Sequence, residues 1–205
     1  MFISAGEPGN VKKIQASVTA ARKVFRVMRP LESLVPVIIQ PGLTGKQPLF
    51  IDAVNKLKSI LMSIYFGADH FVWAHQIGIL TDTSKDKKGT ERWQKLSLWS
   101  WALGSVCTVA AEVFQIAQTE VVRKEGESDE DYDMRVDEAR AQIQARMLTL
   151  VHGLVQAALA CGLLQVVALK PRTVGLLGVI ASAMNCYFLY PTYPKPAPQP
   201  KAKVA

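Results

Sequence analysis

The last quarter of the chain holds two long apolar runs, Met147 to Leu169 and Val174 to Leu189, separated only by Lys170-Pro171-Arg172-Thr173. At about 1.5 Å of rise per residue they make helices of about 34 Å and about 24 Å, against a hydrocarbon core of about 30 Å. The first run is long enough to cross a bilayer and the second crosses with the help of its flanks. Residues 147–190 are therefore expected to form a transmembrane hairpin. The rest of the pattern agrees: in 205 residues that are 49% hydrophobic, with a mean hydropathy of +0.14, the apolar residues gather in blocks and not in short alternating strands. The expected class is all-α, a multi-helix integral membrane protein with a C-terminal helical hairpin and an N-terminal basic amphipathic helix.

A formal charge of +7 calls for an anionic partner, nucleic acid or an acidic lipid surface. Through Lys58 there are nine lysines and arginines against three acids, and the excess lies beside apolar residues with no aromatic base-stacking pattern. Anionic membrane lipid is the expected partner, and nucleic acid is not. Cys107, Cys161 and Cys186 sit inside apolar runs without CxxC spacing, as reduced, buried small residues do. Residues 1–10 read as linker, with neither the basic start nor the apolar stretch of a cleavable export signal.

Residues 11–29 contain no helix breaker and no acid, and Pro30 is expected to close them as one helix. On a wheel, Ile14, Val18, Ala21, Phe25 and Met28 fall within roughly 80°, and Lys12, Arg22, Lys23, Arg26 and Arg29 take the neighbouring arc. Such a helix can lie in the headgroup layer with its apolar stripe down; the alternative is a stripe packed on the rest of the protein. Residues 30–48 read as a Pro and Gly-bearing connector.

Residues 49–118 then carry two long helical patterns, about Leu49 to Leu80 and Trp93 to Gln118, around the polar loop Thr81 to Thr90. Asp69, His70 and His75 in the first, and Glu112 in the second, are expensive at a bilayer centre and favour partly embedded placement. His70 and His75 are five apart, on different helix faces and without a further ligand nearby, so no metal or cofactor is expected. Trp93, Trp99 and Trp101 suit either an interfacial anchor or ordinary core aromatics.

Residues 119–146 are dense in charge of both signs and read as a solvated cytosolic loop or exposed helix. Within the hairpin, Gly153, Ala157 and Cys161 recur every four residues and Gly178 and Ser182 repeat the spacing, which suggests two facing small-residue stripes. Basic residues at the open ends of the hairpin outnumber Lys170 and Arg172 in its turn, which places the Pro and Lys-rich tail, 191–205, in the cytosol, extended and mobile. No phosphate-binding glycine loop, HExxH or nucleophile elbow is present, and an enzyme is not expected.

Several runs together resemble the peroxin-11 family of peroxisomal membrane proteins (peroxisomal biogenesis factor 11), in its plant and algal form. They are Ala20-Ala21-Arg22-Lys23-Val24-Phe25-Arg26, the stretch His70 to Ile79, Leu96-Ser97-Leu98-Trp99-Ser100-Trp101 leading to Gly104-Ser105-Val106-Cys107-Thr108, Gly162-Leu163-Leu164-Gln165, Pro171 to Gly178, and Cys186-Tyr187. The resemblance implies a peroxisomal membrane protein with both termini cytosolic that promotes elongation, proliferation and fission of the organelle. It implies as partners further copies of itself, the import receptor for peroxisomal membrane proteins, and a fission adaptor with a dynamin-related GTPase. Family members usually carry several tens of residues ahead of the point where this chain begins, so the resemblance places Met1 within the linker that follows that segment. An alternative activity is a pore or carrier for small metabolites, for which Asp69, His70, Glu112, His152, Gln156 and Gln165 are the polar groups available inside apolar runs.

Overall fold

The computed structural model describes residues 8–190 except 44, 46, 78, 81–86, 120, 124 and 127. Six helices and no strand occur among the described residues: α1 (Pro8–Val24), α2 (Arg29–Ile39), α3 (Leu49–Gln76), α4 (Lys87–Ala117), α5 (Asp129–Leu163) and α6 (Pro171–Leu189). The expected tail at 191–205, the residues up to 7 and most of the loop 81–90 lie outside the described residues.

Three helices are long and apolar enough to cross a membrane: Gly89–Ala117, Asp129–Leu163 and Pro171–Leu189. The chain is thus an all-α protein with the helices of a membrane protein. α3 is not among the three, and its Asp52, Lys56, Lys58 and Asp69 say why.

α4 is the centre of the bundle, packed on α3 along one side and on α5 along the other. α3 and α4 run antiparallel, with Phe50 against Phe114 at one end (4.9 Å between ring centroids) and Phe71 stacked on Trp93 at the other (4.6 Å). The residues α4 buries are small: Ser97, Ser100, Ala102, Gly104, Ser105 and Ala111. Small side chains let backbones approach closely on both sides, and the hydroxyls of Ser105 and Thr108 donate to the carbonyls of Trp101 and Gly104, which satisfies them inside apolar surroundings. Among the described residues, α6 packs only on α5, and α1 only on α3, of the other helices.

Three boundaries differ from the expectation. The basic helix stops at Val24 and not at Arg29. Residues 25–28 form a tight turn in which the amides of Arg26 and Val27 donate to the carbonyls of Lys23 and Val24, three residues back. Pro30 opens α2 instead of closing α1, because a proline in the first helical turn gives up an amide that would lack an intrahelical partner anyway. The supposed connector 30–48 thereby contains α2, which packs on α3.

The acidic run begins a helix that is continuous with the first arm of the hairpin. Asp129, Glu130 and Asp131 occupy the first turn of α5, where negative charge meets the positive end of the helix dipole. At 35 residues, α5 is about 52 Å long, so its charged first half stands about 27 Å clear of Met147.

That arm also ends six residues before Leu169. Val166 donates to Cys161 O and Gln165 to Gly162 O, with Gln165 at φ 58°, the closing pattern of a helix whose next residue turns left-handed. Leu169 folds back onto Gly162: a Cβ there would lie 2.8 Å from Leu169 Cδ1 and 3.2 Å from Val174 Cγ2, so a larger residue would have to displace those methyl groups. Apolar composition alone could not reveal that stop.

Candidate membrane-interaction site

The basic residues and the apolar stripe of the N-terminal segment part company. Lys23, expected at the membrane surface, is 8% exposed, and its Nζ lies 3.0 Å from Asp69 Oδ1 of α3. This answers how α3 tolerates Asp69: the carboxylate is matched by a cation supplied from α1, with the two side chains 23% and 10% exposed. Arg26 lies over the ring of Phe66, 5.9 Å from its centroid. Tyr65 beneath it stacks on Trp101 (5.8 Å), and burial first, then the charge of Asp69, push its phenol above the ordinary range while Arg26 and Arg22 oppose the shift. α1 is thus latched near its C-terminal end onto one short stretch of α3.

The stripe points away from the bundle. Ile14 is 49% exposed, Val18 62%, Phe25 88% and Met28 61%. None of these has found protein to cover it, so packing of the stripe on the rest of the chain is not what the structure shows. Phe25 and Met28 project from the turn and not from the helix. Arg22 is exposed, and Arg29 pairs with Glu32 at 3.1 Å on a solvated surface. The Lys12 side chain lies outside the described residues.

The two small-residue stripes do not face each other. Gly153 serves α4: a Cβ on it would lie 3.1 Å from Val109 Cγ2 and 3.6 Å from Thr108 Cβ. A Cβ at Gly178 would meet nothing within 4 Å, and Ser182 is exposed; the residue α6 buries is its neighbour Ala181. Ala157 and Cys161 are half-buried. Sequence reasoning missed Gly162, the residue that admits the hairpin turn, and the small face of α4, whose Ser97, Ser100, Gly104 and Ser105 were present as a signal.

Four of the six polar groups available to line a path, Asp69, Glu112, His152 and Gln156, are paired with other side chains, while His70 Nε2 is buried with no partner among the described residues. Asp69 is held by Lys23; Glu112 accepts from Arg146 at 3.4 Å; Gln156 accepts from Trp101 Nε1 at 3.3 Å and donates to His152 at 2.9 Å. His70 donates from Nδ1 to the Phe66 carbonyl, and Gln165 is exposed in the hairpin turn. Trp93 and Trp101 stack on α3 while Trp99 is exposed.

The contacts also fix which ends go together. Lys23–Asp69 and Phe71–Trp93 lie at the end of the bundle that carries the α5–α6 turn. Phe50–Phe114, Glu112–Arg146 and His152–Phe188 lie at the other, with Tyr190 and the charged half of α5. Where α4, α5 and α6 all cross, α1 and Tyr190 lie at opposite faces of the bilayer. The termini themselves, expected in the cytosol, lie outside the described residues.

Comparison with known proteins bears on what such an arrangement serves. Residues 3–190 match the family described as peroxisomal biogenesis factor 11 (PEX11). The chain is 33% identical over 205 residues to peroxisomal membrane protein 11D of Arabidopsis thaliana, an alignment that covers 95% of this chain and 83% of that one. It is 31% identical over 198 residues to peroxisomal membrane protein 11-1 of Oryza sativa subsp. japonica, covering 93% and 81%. No solved structure matches the chain.

Proposed function

Because the chain belongs to the peroxisomal biogenesis factor 11 family and is a peroxisomal membrane protein, we propose that it shapes that membrane, promoting elongation and fission of the organelle by wedging α1 into one leaflet. The observation that carries this is the exposed stripe of Ile14, Val18, Phe25 and Met28, held beside apolar helices by the Lys23–Asp69 pair.

Each well-buried Ile, Phe or Met is worth up to about 1.5 to 3 kcal/mol in lipid, and each basic residue near an anionic leaflet about 1 kcal/mol. With α4, α5 and α6 already in the bilayer, that free energy is not needed for anchoring. It goes into holding a helix of about 25 Å in the headgroup layer of one leaflet only, which expands that leaflet and favours curvature.

Self-association would concentrate many such wedges. A fission adaptor with a dynamin-related GTPase would complete division, and the membrane-protein import receptor would deliver the chain. The test is tubulation of anionic liposomes by the reconstituted protein, with Phe25→Glu and Ile14→Glu combined. The double variant should lose tubulation while remaining resistant to carbonate extraction; full tubulation by it would overturn the wedge.

A further inference from the structure

A short chain of hydrogen bonds joins the membrane-crossing helices, and its direction is fixed. Trp101 Nε1 of α4 donates to Gln156 Oε1 of α5 at 3.3 Å, and Gln156 Nε2 lies 2.9 Å from His152 Nε2, one turn earlier on the same helix. The His152 ring packs edge-on against Phe188 of α6, with 5.1 Å between centroids, and Asn185 of α6 is within hydrogen-bonding range of it. Trp101, Gln156 and His152 are all half-buried.

An indole N–H can only donate, so the carbonyl of Gln156 faces Trp101 and its NH2 group faces His152. That NH2 group can only donate as well, so His152 Nε2 has to accept and carries no proton. The bonds are complete only when the ring is neutral with its hydrogen on Nδ1. A second proton puts an N–H at Nε2 against the NH2 of Gln156. Turning the amide over moves the conflict without removing it, because the NH2 then meets the indole N–H. Whichever way the amide lies, one pair of donors is left opposed in apolar surroundings.

Relief requires the ring to turn, and Phe188 rests on that ring. α6 is poorly placed to resist: among the described residues it packs on α5 alone of the other helices and buries Ala181. His152 lies six residues, about 9 Å, inside Arg146, and the exposed Asn185 stands five residues short of Tyr190, so the ring is about two turns from headgroup water.

We infer that His152 is a proton-operated switch: protonated from the Tyr190 end of the bundle, it breaks the Trp101–Gln156–His152 chain and frees the outer end of α6 from α5. The switch needs α4, α5 and α6 in the bilayer but not the α1 wedge, so the Phe25→Glu, Ile14→Glu protein should keep it. On the helices around the ring, α3 presents Lys58, whose charge reaches it, α4 carries Cys107 and Glu112, the latter held by Arg146, and α6 carries Cys186 and Tyr187. Lysine, cysteine and tyrosine ordinarily keep their charge state between about pH 7.5 and about pH 5, which leaves the Glu112 carboxylate as the group the experiment has to separate.

The experiment uses the full chain in liposomes, with the three native cysteines changed to alanine and spin labels at Val113 of α4 and Leu189 of α6, both exposed. By pulsed electron resonance the distance distribution should be narrow at about pH 7.5 and gain a broad component at about pH 5. His152→Gln offers an amide oxygen in place of Nε2 and has no proton to gain, so it should stay narrow at both. Trp101→Phe removes the indole N–H and lets Gln156 turn its oxygen to the imidazolium, so it too should stay narrow at about pH 5. In nitrogen-15 spectra of histidine-labelled chain, the signal lost in His152→Gln should show a bare Nε2 and a protonated Nδ1 at about pH 7.5. In Trp101→Phe that ring should protonate about one pH unit higher, a tenfold gain in proton affinity.

A His152 proton found on Nε2 at about pH 7.5, or a wild-type distribution unchanged at about pH 5, would overturn the switch. Broadening that persists in His152→Gln would assign the acid response to Glu112 and overturn it as well. So would a Trp101→Phe chain that responds to acid as wild type does, since a merely structural tryptophan has no reason to set that response.

Discussion

The latch between α1 and α3 gives the sharpest prediction. Asp69→Ala removes the carboxylate that lies 3.0 Å from a Lys23 that is 8% exposed, leaving an ammonium in a poorly solvated position. Stranding one member of a fully buried pair costs about 3 to 5 kcal/mol, and exposed pairs contribute about 0 to 1 kcal/mol. With side chains 10% and 23% exposed, the cost here falls between, at about 2 to 3 kcal/mol. At about 1.4 kcal/mol per factor of ten, docking of α1 should weaken by about 30- to 100-fold. A helix released in about 2% of molecules would become one released in about half.

Spin labels at Gln15 on α1 and Gln94 on α4, both exposed, report this by pulsed electron resonance in proteoliposomes. The distance distribution should be narrow in the wild type and acquire a broad component of comparable weight in Asp69→Ala. Lys23→Met combined with Asp69→Leu removes both charges and should restore the narrow component, since an apolar pair of similar size commonly replaces a buried ion pair without loss. A distribution unchanged by Asp69→Ala would refute the latch. So would a double variant as broad as the single one.

Two further outcomes follow from the packing. Gly153→Leu must displace Val109 and Thr108 and should lower the unfolding transition of the detergent-solubilised protein by the equivalent of about 1 to 3 kcal/mol, whereas Gly178→Leu projects into open space and should leave it nearly unchanged. Equal effects at the two positions would refute the close approach of α5 to α4 at Gly153 as distinct from an open face at Gly178. Single cysteines in place of Gln15 and of Tyr190, in a chain whose native cysteines are changed to alanine, should react with a membrane-impermeant maleimide from opposite faces of intact peroxisomes; labelling of both from the cytosolic side would exclude three crossings with α1 docked.

Helix identity was legible because apolar blocks of 16 or more residues have few other stable forms in lipid. The stops were less so. Pro30 carries the same sequence whether it ends one helix or begins another, and the choice went to α2, which packs on α3 with Leu34 and Val37 half-buried. The end of α5 at Leu163 depends on Leu169 finding space over Gly162, a contact between residues that hydropathy treats as equivalent.

Small-residue spacing identified Gly153 as a close-approach position without identifying the helix that approaches. In a three-helix array each small face has two possible recipients, and α4, itself lined with serine and alanine, took the contact from α6. Lys23 was assigned to the membrane surface because its charge was weighed with its neighbours on the wheel. Its partner lies 46 residues away in sequence, and only the fold brings Asp69 to it.

Orientation is where the fold most changes an inference from charge. Counted over the hairpin alone, basic residues favour a cytosolic tail, because Lys170 and Arg172 stand alone in the turn. The latch brings Arg22, Lys23, Arg26 and Arg29 to that same end of the bundle, and Arg92 and Lys95 of α4 lie there too. Against these stand Arg123, Arg135, Arg140 and Arg146 at the opposite end, with Lys195, Lys201 and Lys203 following Tyr190 in the sequence, eight basic residues against seven. The asymmetry that the positive-inside rule needs has gone, since it is counted over all segments flanking the spans and not over one loop. What orients the chain must then be unequal in kind and not in number. The basic residues beside α1 lie next to an uncovered apolar stripe, whereas Arg135, Arg140 and Arg146 sit on the charged half of α5, ahead of its apolar run from Met147. The two ends of the bundle therefore differ in kind, and on the proposed wedge α1 would expand only the leaflet at its own end, so that the direction in which α4, α5 and α6 insert would set the sign of the curvature.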